Sequence, residues 1–471
     1  MDIYVINPFQ TSTPHFPVIG IIDKFVSCIW DIQLYALGEF NLTIPATPEN
    51  LSLIVVGRFL VRDRDISVSN GTSYYRNVMV IRKTELRYNP DEGYMLYVWG
   101  RTIKDIFSQR IIWNQITYTS TSLTTIIHEV LYQNVVDPQG YCDGVVSDKE
   151  DVIDGLEDDL TQAESDADTA YAAYERAVDE FGPDSSQAKS AYATYEAYLE
   201  DISDIEAQIT EKQDDLALTH IKFAGSQYRA IPYVSAGVID IAGFTPPTVT
   251  VQLHGENIGE WLEEICTQNH LGWEIVLSEN LFKMGFVVGT DKSSTVIFSP
   301  EYDNLRNSSY IISTEAYKNA GQVGGEGEGL DQVTTGTEST LSENPFPIFE
   351  GIDRFEDYID GTSISSNGNI ITLNVYVYML KQFGQSDLIG KMITKTFEAE
   401  IETQGIFKIG VDYKLGDYVT ISNEKGISAK TRLIETTDVE DENGTQTQAI
   451  FEEMTVSSQN TQETEEPIEW E

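Results

Sequence analysis

The chain of 471 residues carries 76 acidic against 30 basic side chains, which gives a formal net charge of −46. A surface with this excess of carboxylates repels phosphate backbones, so the composition argues against stable binding to nucleic acid. Hydrophobic residues make up 41% of the chain, with 25 Tyr, 19 Phe and 6 Trp, which is enough for packed cores and typical of strand-rich proteins. One core rarely supports this length, and we expect roughly three domains.

The cysteines and the N-terminus bear on the compartment in which the chain folds. Cys28, Cys142 and Cys266 have neither zinc-site spacing nor the pattern of a disulfide framework, so we expect folding in a reducing cytoplasm. The opening residues MDIYVINPF lack the basic and apolar regions of a signal peptide, and no run of about 18 apolar residues occurs. We therefore expect no signal peptide and no membrane-spanning segment.

Residues 1–120 have the pattern of successive strands. Apolar and polar residues alternate from Phe40 to Ile44, as in a half-buried strand, and Pro45 ends it because proline cannot donate to a ladder. Turns at Asn70-Gly71 and at residues 89–93 separate further strands. These features predict an N-terminal β-barrel or sandwich.

Residues 121–147 have helical periodicity. The apolar residues that share one face are Leu123, Ile126, Ile127, Val130 and Leu131. We expect a connecting helix that closes the N-terminal domain. His128 lies near this face and is interpreted as a structural histidine.

Residues 148–218 have the periodicity of a coiled coil, with apolar residues at alternating steps of three and four in two runs. The runs are Ile153, Leu156, Leu160, Ala163, Ala167, Ala170, Tyr174 and Ala177, and then Ala188, Ala191, Tyr195, Tyr198, Ile202, Ile205 and Ile209. Between them, residues 181–184 combine a helix stop, a turn and a helix start. The pattern predicts an inserted hairpin of two antiparallel helices, about thirty residues and about 45 Å each.

The seam of this hairpin places small alanines opposite large tyrosines, so the two helices can pack closely. The simplest interpretation is an intrachain hairpin that buries its own seam. The alternative is a hairpin that also contacts neighbouring subunits or a receptor, with Tyr171, Tyr192 and Phe181 as exposed anchors. The dense Asp and Glu of its outer faces are interpreted as a solvated surface.

The remaining chain completes a fold class that is α+β and mainly β. Residues 219–320 are predicted to form a small α+β domain, whose helix buries Cys266 as a core residue. Residues 321–344, rich in Gly, Thr, Ser and Glu, indicate a linker. Residues 345–456 are predicted to form a second β-barrel, and residues 457–471 a disordered acidic tail.

No motif indicates a catalytic residue, a cofactor-binding residue or a metal ligand, so we expect no enzyme and no cofactor. The five histidines form neither an HExxH helix nor a pair at ligand spacing, and no GxSxG elbow occurs. The stretch Gly324–Gly329 lacks the Lys-Ser/Thr ending of a phosphate loop, and its glutamates repel phosphate. Residues 438–444 have some of the acidic spacing of a calcium loop, but a hairpin tip with an Asn443-Gly444 turn is favoured.

Four motifs follow one another along the chain. Trp30–Asp63 contains an aromatic-rich strand, a Gly-Glu-Phe turn and a strand that ends at proline, and the hairpin 78–99 leads into GRTIKDIFSQRIIW. YDNLRNSSYIIS then precedes GQVGGEGEG at 321–329, and FEGIDRFEDYIDG precedes GVDYKLGDYVTI at 410–421. In this order the motifs resemble those of the tail hub, or baseplate hub, proteins of long-tailed bacteriophages. The resemblance spans most of the chain, apart from the hairpin insert and the acidic tail.

The resemblance implies a structural protein of the virion tail, made in the host cytoplasm. It implies a homotrimer, in which two β-barrels per subunit, here 1–120 and 345–456, alternate around a ring. Such a ring would cap the tail tube, adapt its sixfold symmetry to a threefold tip and gate DNA passage. The implied partners are the distal tail protein, the C-terminus of the tape-measure protein and tail-tip or fibre proteins, with DNA only in transit and host attachment as a further contact.

Two other functions stay open at this point. A receptor- or glycan-binding tail-tip module would use exposed aromatic side chains as stacking surfaces, for which Tyr74, Tyr75 and Trp113 are the candidates. A cell-wall hydrolase needs only two suitably spaced carboxylates, and 76 acidic residues meet that condition by chance. Neither alternative accounts for two paired barrels.

Overall fold

A computed structural model describes residues 1–453 except 92, 328, 340–350, 367, 369–370, 402–405, 424, 426–427 and 443. The chain forms two compact units, of which the smaller is Leu131–Pro232 and the larger combines Met1–Val130 with the chain from Tyr233 onward. In these described ranges, no helix is both long enough and apolar enough to cross a bilayer.

The first part of the larger unit is built mainly from strands. The strands are β1 (Ile3–Ile6), β2 (Val18–Ile22), β3 (Ser27–Gln33), β4 (Glu39–Pro45), β5 (Phe59–Arg62), β6 (Ile66–Ser69), β7 (Thr72–Tyr75), β8 (Met79–Asn89), β9 (Gly93–Thr102) and β10 (Ile116–Ser122). The helices are α1 (Pro48–Leu53) and α2 (Leu123–Leu131), with short 3-10 segments at Asp63–Asp65 and Ile103–Gln109.

The smaller unit is a hairpin of two long helices, α3 (Pro138–Phe181) and α4 (Ser186–Lys222). Asp137 caps α3 by accepting a hydrogen bond from the amide of Gly140, and the helix ends where Gly182 adopts a φ of 86°. Ser185 caps α4 through the amide of Ala188 at 3.1 Å. At 1.5 Å per residue, the 44 residues of α3 extend about 66 Å, so the hairpin exceeds its predicted length.

The chain after the hairpin returns to strands. They are β11 (Val234–Ile239), β12 (Thr248–Leu253), β13 (Gly272–Ser278), β14 (Phe282–Val287), β15 (Ile297–Phe298), β16 (Leu305–Ser313), β17 (Ala320–Gly324), β18 (Thr334–Glu338), β19 (Glu356–Asp360), β20 (Thr394–Ile401), β21 (Tyr418–Ser422), β22 (Ser428–Asp441) and β23 (Gly444–Glu453). The helices of this part are α5 (Ile258–Gln268) and α6 (Leu373–Ile389).

Thirteen of the described strands form one large sheet. Its order is β16-β20-β23-β22-β3-β4-β9-β8-β5-β1-β2, with β21 beside β22 and β15 beside β21. The antiparallel pairing of β22 with β3, from Glu435 opposite Gln33 to Glu440 opposite Cys28, joins the two ends of the chain. The pairings among described residues leave this path open, so the two regions predicted as separate barrels share one continuous sheet.

Two apolar cores lie against this sheet. In β4, buried and half-buried residues alternate as the sequence pattern predicts, and Phe40, Leu42 and Ile44 pack with Trp30 in the first core. The second core contains Phe298, Leu433 and Phe451 among others. Burying each such side chain contributes about 1.5–3 kcal/mol to the hydrophobic stabilisation.

The segment predicted to be a linker, residues 321–344, contains ordered strands. Its β17 pairs with β18 and β19, and α6 packs on this three-stranded sheet. Gly384 of α6 permits that contact, because a Cβ there would collide with Val323 and Thr337. The prediction of a linker was therefore wrong for the described part of the segment, which contributes strands to a packed sheet.

The fold class is as predicted, a mixed α+β chain rich in strands with an inserted helical hairpin. The boundaries differ, because α3 begins at Pro138 inside the segment predicted as a connecting helix, and α4 continues to Lys222. The predicted disordered tail, 457–471, lies outside the described residues.

Candidate functional site

The buried thiols have the chemistry of core residues. Cys28, Cys142 and Cys266 are all free and buried. Burial raises the pKa of both Cys28 and Cys266 to about 12, because a thiolate loses its hydration there. A thiol with a raised pKa is a poor nucleophile, and Cys266 has the core position that its helical pattern predicted.

The structure gives no sign of a metal centre in the part of the chain that it describes. No group of three or more His, Cys, Asp or Glu side chains in the described residues has a geometry suited to a metal ion. Asp438, the first residue of the stretch that resembled a calcium loop, lies within β22 and pairs across to Thr447 of β23. The prediction of a hairpin at this position is confirmed.

The glycine-rich stretch Gly321–Gly329 begins as β17 and continues into a tight turn. Gly327 and Gly329 adopt φ values of 98° and 60°, in the left-handed region that favours glycine. Glu326 accepts hydrogen bonds from the Ser365 hydroxyl and the Ser366 amide, and these bonds lower its pKa. The carboxylate is engaged within the protein, which does not suit a loop that binds phosphate.

A buried ionic cluster, which we call the junction cluster, joins the first and last parts of the large sheet. Arg62 is 1% exposed and donates to Asp65 and Asp438, each at 2.6 Å. Arg64 also pairs with Asp438, and the Thr447 hydroxyl donates to it at 2.5 Å. Charge-assisted bonds of this kind fix the register between strands that are far apart in sequence.

The electrostatics of the junction cluster favour the ionised carboxylate. Burial alone raises the pKa of Asp438, but the guanidinium groups of Arg62 and Arg64 outweigh it, so the net pKa is lowered. The guanidinium carbon of Arg62 also lies 5.0 Å from the ring centroid of Trp30, an arrangement suited to a cation–π contact. The junction cluster therefore stabilises the contact between the first and last parts of the sheet, and its charged groups pair with one another.

Arg432 forms a second buried anchor at the same sheet. Its guanidinium is 0% exposed. It donates to the backbone oxygens of Gly416, His270, Val287 and Val288 and to the Tyr35 hydroxyl, at 2.6 to 3.2 Å. One side chain of β22 thus contacts four separate segments of the larger unit.

A cleft of about 600 Å³ in this unit has a mainly apolar lining that also includes several cations. Arg64 and Arg76 pair with Asp438 and Glu274, respectively. The Lys104 ammonium donates to the backbone oxygens of Gln33, Leu34 and Ala36 at 2.8 to 3.2 Å. These three cations form ion pairs and hydrogen bonds within the protein, so they give no reason to assign a ligand to the cleft.

The aromatic residues considered as stacking surfaces are not all exposed. Tyr74 is 36% exposed, whereas Tyr75 is only 4% exposed and pairs with Leu277 of β13. Trp113 is half-buried. The prediction that Tyr75 could form a glycan-stacking surface was therefore wrong, because strand alternation turns it inward.

Both ends of the large sheet carry exposed apolar residues. On β2, Val18, Ile19 and Ile21 are 38% to 46% exposed, and on β16, Ile311 and Ile312 are 39% and 58% exposed. Among the described strands, β2 pairs only with β1, and β16 only with β20. Edge strands of this kind are templates for pairing with another chain.

The hairpin carries four tyrosines that contact one another across the two helices, which we call the tyrosine patch: Tyr171, Tyr174, Tyr192 and Tyr195. Ring centroids lie 5.1 Å apart for Tyr171 and Tyr195, and 5.2 Å apart for Tyr174 and Tyr192. Tyr171, Tyr192 and also Phe181 at the turn are 41% to 51% exposed, as predicted for candidate anchors.

Sequence reasoning missed the junction cluster and Arg432. The available signal was an arginine at the end of an otherwise apolar strand, as in Phe59-Leu60-Val61-Arg62, where every residue is buried. Such a pattern indicates a buried cation, but it does not say which carboxylate pairs with it.

Comparison with protein families gives one match over most of the chain. The family model described as "Siphovirus ReqiPepy6 Gp37-like protein" matches residues 3–153 and 226–451. Residues 154–225, most of the helical hairpin, lie outside the match. No curated protein matches the chain.

Several solved structures are similar to the chain at low identity. The 43 kDa tail protein of prophage MuSo2 from Shewanella oneidensis is 11% identical, with a TM-score of 0.45 over 96% of this chain and 98% of that chain. The tail protein from Neisseria meningitidis MC58 is 10% identical, with a TM-score of 0.44 over 96% of each chain. An E. coli component of the type VI secretion system is 6% identical, with a TM-score of 0.34 over 91% of this chain and 73% of that chain.

Proposed function

Because the chain belongs to the Siphovirus ReqiPepy6 Gp37-like family, we propose that it is a structural hub protein of a phage tail, without a catalytic role. The observation that carries this proposal is the large sheet, in which the junction cluster holds the first and last parts of the chain in one register. A tail protein that transmits mechanical force needs a continuous sheet of this kind, whose strands are held in register by internal contacts. The ordered hub motifs of the sequence support the same function.

In this proposal, three copies form a ring that caps the tail tube. Residues 1–120 and 345–456 of each subunit alternate around it, so that a threefold assembly matches a sixfold tube. The exposed apolar edges β2 and β16 are suited to join neighbouring subunits, since two different surfaces that meet through a closing rotation generate a ring.

The charge of the chain suits a channel for DNA. With a net charge of −46, a ring of three copies repels phosphates, so DNA can pass through without adhering. The partners in this proposal are the distal tail protein, the tape-measure C-terminus and tail-tip or fibre proteins. The ring would stay closed until infection and then open for DNA ejection.

Light scattering on the purified full-length chain tests the ring. We expect a native mass of three times 52.8 kDa. The matched variants are Ile21→Glu on edge strand β2 and Val68→Glu on β6, which each add one carboxylate at a position exposed by 46% and 70%, respectively. Ile21→Glu is expected to dissociate the trimer, whereas Val68→Glu leaves it intact.

A wild-type chain that stays monomeric at micromolar concentration would overturn the trimeric ring. A density map of the virion tests the hub role separately, because this role requires the chain to surround the tail axis at the end of the tube. Density for the chain at a peripheral fibre would contradict it.

A further inference from the structure

The tyrosine patch is more aromatic and more exposed than the rest of the hairpin seam. Elsewhere the two helices are held by alanine and isoleucine, such as Ala167, Ala188 and Ile209, which are 8% exposed or less. Tyr171 and Tyr192 lie beside the seam, with 42% and 41% of their surfaces exposed. Because both rings are half-exposed, they form an accessible aromatic surface beside the seam.

The four rings form one continuous surface across both helices. Within each helix, the partners are three residues apart, with centroids 6.1 Å apart for Tyr171 and Tyr174, and 6.2 Å apart for Tyr192 and Tyr195. The ring planes are tilted by 49° to 58° to one another. Such a surface offers π faces to more than one side chain of a partner.

Carboxylates surround this surface. Asp168 and Glu175 lie three residues before and four residues after Tyr171, and Glu196 lies four residues after Tyr192, which are neighbouring positions on a helix. The charge of Glu196 raises the pKa of Tyr192, which favours the neutral phenol. All three acids are exposed, and none forms an ion pair with another residue that the structure describes.

The wider hairpin has the same sign of charge. Residues 138–222 contain 23 acidic and 5 basic residues, a formal net charge of −18. This charge opposes docking of a second copy of the hairpin, and it also opposes nucleic acid, phosphate-bearing polymers and anionic lipid. A cationic partner is complementary both to the carboxylates and to the π faces of the tyrosines.

We propose that the tyrosine patch is a docking surface for a basic segment of another protein, whose arginine and lysine side chains stack on Tyr171 and Tyr192. The neighbouring carboxylates pair with the same cations. The family match omits residues 154–225, which include this surface. The basic segment is therefore a partner in addition to those of the proposed hub function. The inference does not depend on the proposed ring, since one hairpin contains all of its residues.

Two double variants of the full-length chain, neither of which changes its net charge, test the contribution of the patch. Tyr171→Leu with Tyr192→Leu removes two π faces while it keeps apolar bulk and helix propensity. The control is Tyr88→Leu with Tyr94→Leu at the β8–β9 hairpin, where two tyrosines are 63% and 60% exposed with centroids 4.9 Å apart. Circular dichroism confirms that each variant retains its helices.

The probe is a synthetic helical peptide with arginines along one face, compared by calorimetry with the same peptide carrying lysines. We expect the arginine peptide to bind more tightly, because guanidinium stacks better on aromatic rings. The Tyr171/Tyr192 variant should bind the arginine peptide about 5- to 30-fold more weakly and lose the preference over lysine. The control variant should keep both the affinity and the preference.

Equal weakening in both leucine variants would overturn the proposal, because the binding would then reflect only the overall negative charge. Binding that survives the loss of Tyr171 and Tyr192 would overturn it as well. Phenylalanine at both positions retains the π faces, so it should restore most of the affinity, and a failure of this rescue would also count against stacking.

Discussion

Arg62 and Asp438, which are 376 positions apart in the sequence, form a buried ion pair with 2.6 Å between Nη1 and Oδ2. The pair connects β5 near the start of the chain with β22 near its end. Removing one partner of such a pair costs more than the intact pair contributes, because the other charge is left buried without its counterion. The junction cluster therefore makes the integrity of the sheet depend on single residues.

Asp438→Asn should strongly destabilise the larger unit. The substitution leaves Arg62 with Asp65 as its remaining carboxylate partner, and we expect a loss of about 3–5 kcal/mol in the free energy of unfolding. Urea unfolding followed by tryptophan fluorescence measures it. Asp240→Asn, at an exposed position, is the matched control and should change stability by less than about 0.5 kcal/mol.

The same variant has a defined pH dependence. The folded-state pKa of Asp438 is lowered, whereas that of an unfolded chain is about 3.9. Its stabilisation is therefore fully present above the unfolded value, and it is lost as pH falls through the folded value. The stability difference between wild type and Asp438→Asn should shrink below about pH 4. A difference that stays constant down to acid unfolding would contradict the ionic account.

Lys104→Met should give a stability deficit that grows with pH. Burial lowers the pKa of Lys104 to about 7, against about 10.4 in an unfolded chain. Between these values the unfolded chain binds more protons, so stability from this group rises with pH in the wild type and not in the variant. Urea unfolding at pH 7 and pH 9 measures the difference. Exposed Lys24→Met is the control, and a deficit independent of pH would mean that the three carbonyl acceptors keep Lys104 charged.

Two helical glycines should respond in opposite directions to alanine. Gly384→Ala places a Cβ against Val323 and Thr337, and the resulting strain should cost about 1–3 kcal/mol. Gly155→Ala in α3 faces open space, so the higher helix propensity of alanine should stabilise the hairpin by about 0.5–1 kcal/mol. Thermal unfolding of each purified variant gives the sign. Stabilisation by Gly384→Ala would show that α6 moves away from β17 without cost.

The sequence predicted the hairpin well because its information is local. Heptad spacing determines which residues face the partner helix, and seam residues such as Ala167, Ala170 and Ala188 are buried accordingly. The pairing of β22 with β3 was not predictable, since strands some 400 residues apart carry no shared local pattern. The strands in the predicted linker were not predictable either, since the Gly and Thr of β17 and β18 are typical of loops and α6, which covers these strands, lies far along the chain.

Among the candidate functional residues, too, some depend on local sequence and others on tertiary structure. Exposure of Tyr171 and Tyr192 was predictable from helical position, whereas burial of Tyr75 depends on its pairing with Leu277, 202 positions away. The partners of Arg62 likewise depend on tertiary structure. The resemblance to a phage protein family is confirmed by the match over 3–153 and 226–451, since the ordered motifs lie in these ranges. The hub role itself stays a prediction.

Shortening the hairpin in register should leave the larger unit folded. Tyr171 faces Tyr195 and Tyr174 faces Tyr192, so residues whose numbers add to 366 oppose each other. Removing residues 160–206 and joining the helices by a short glycine turn therefore keeps the remaining seam residues, 138–159 of α3 and 207–222 of α4, in register. We expect the strand signal and the unfolding transition of the larger unit to persist in circular dichroism, since the family match does not need residues 154–225.

Removing residues 160–204 instead provides the out-of-register control. It leaves α4 two residues longer, which is about 200° of helix at 3.6 residues per turn. A short turn that closes on α3 must then unwind these residues or carry the α4 seam away from α3. This variant should lose helicity in the hairpin stub, whereas the in-register deletion keeps it, and both should retain the strand transition. If the in-register deletion also abolished the strand transition, the hairpin would be an integral part of the fold and not an insert.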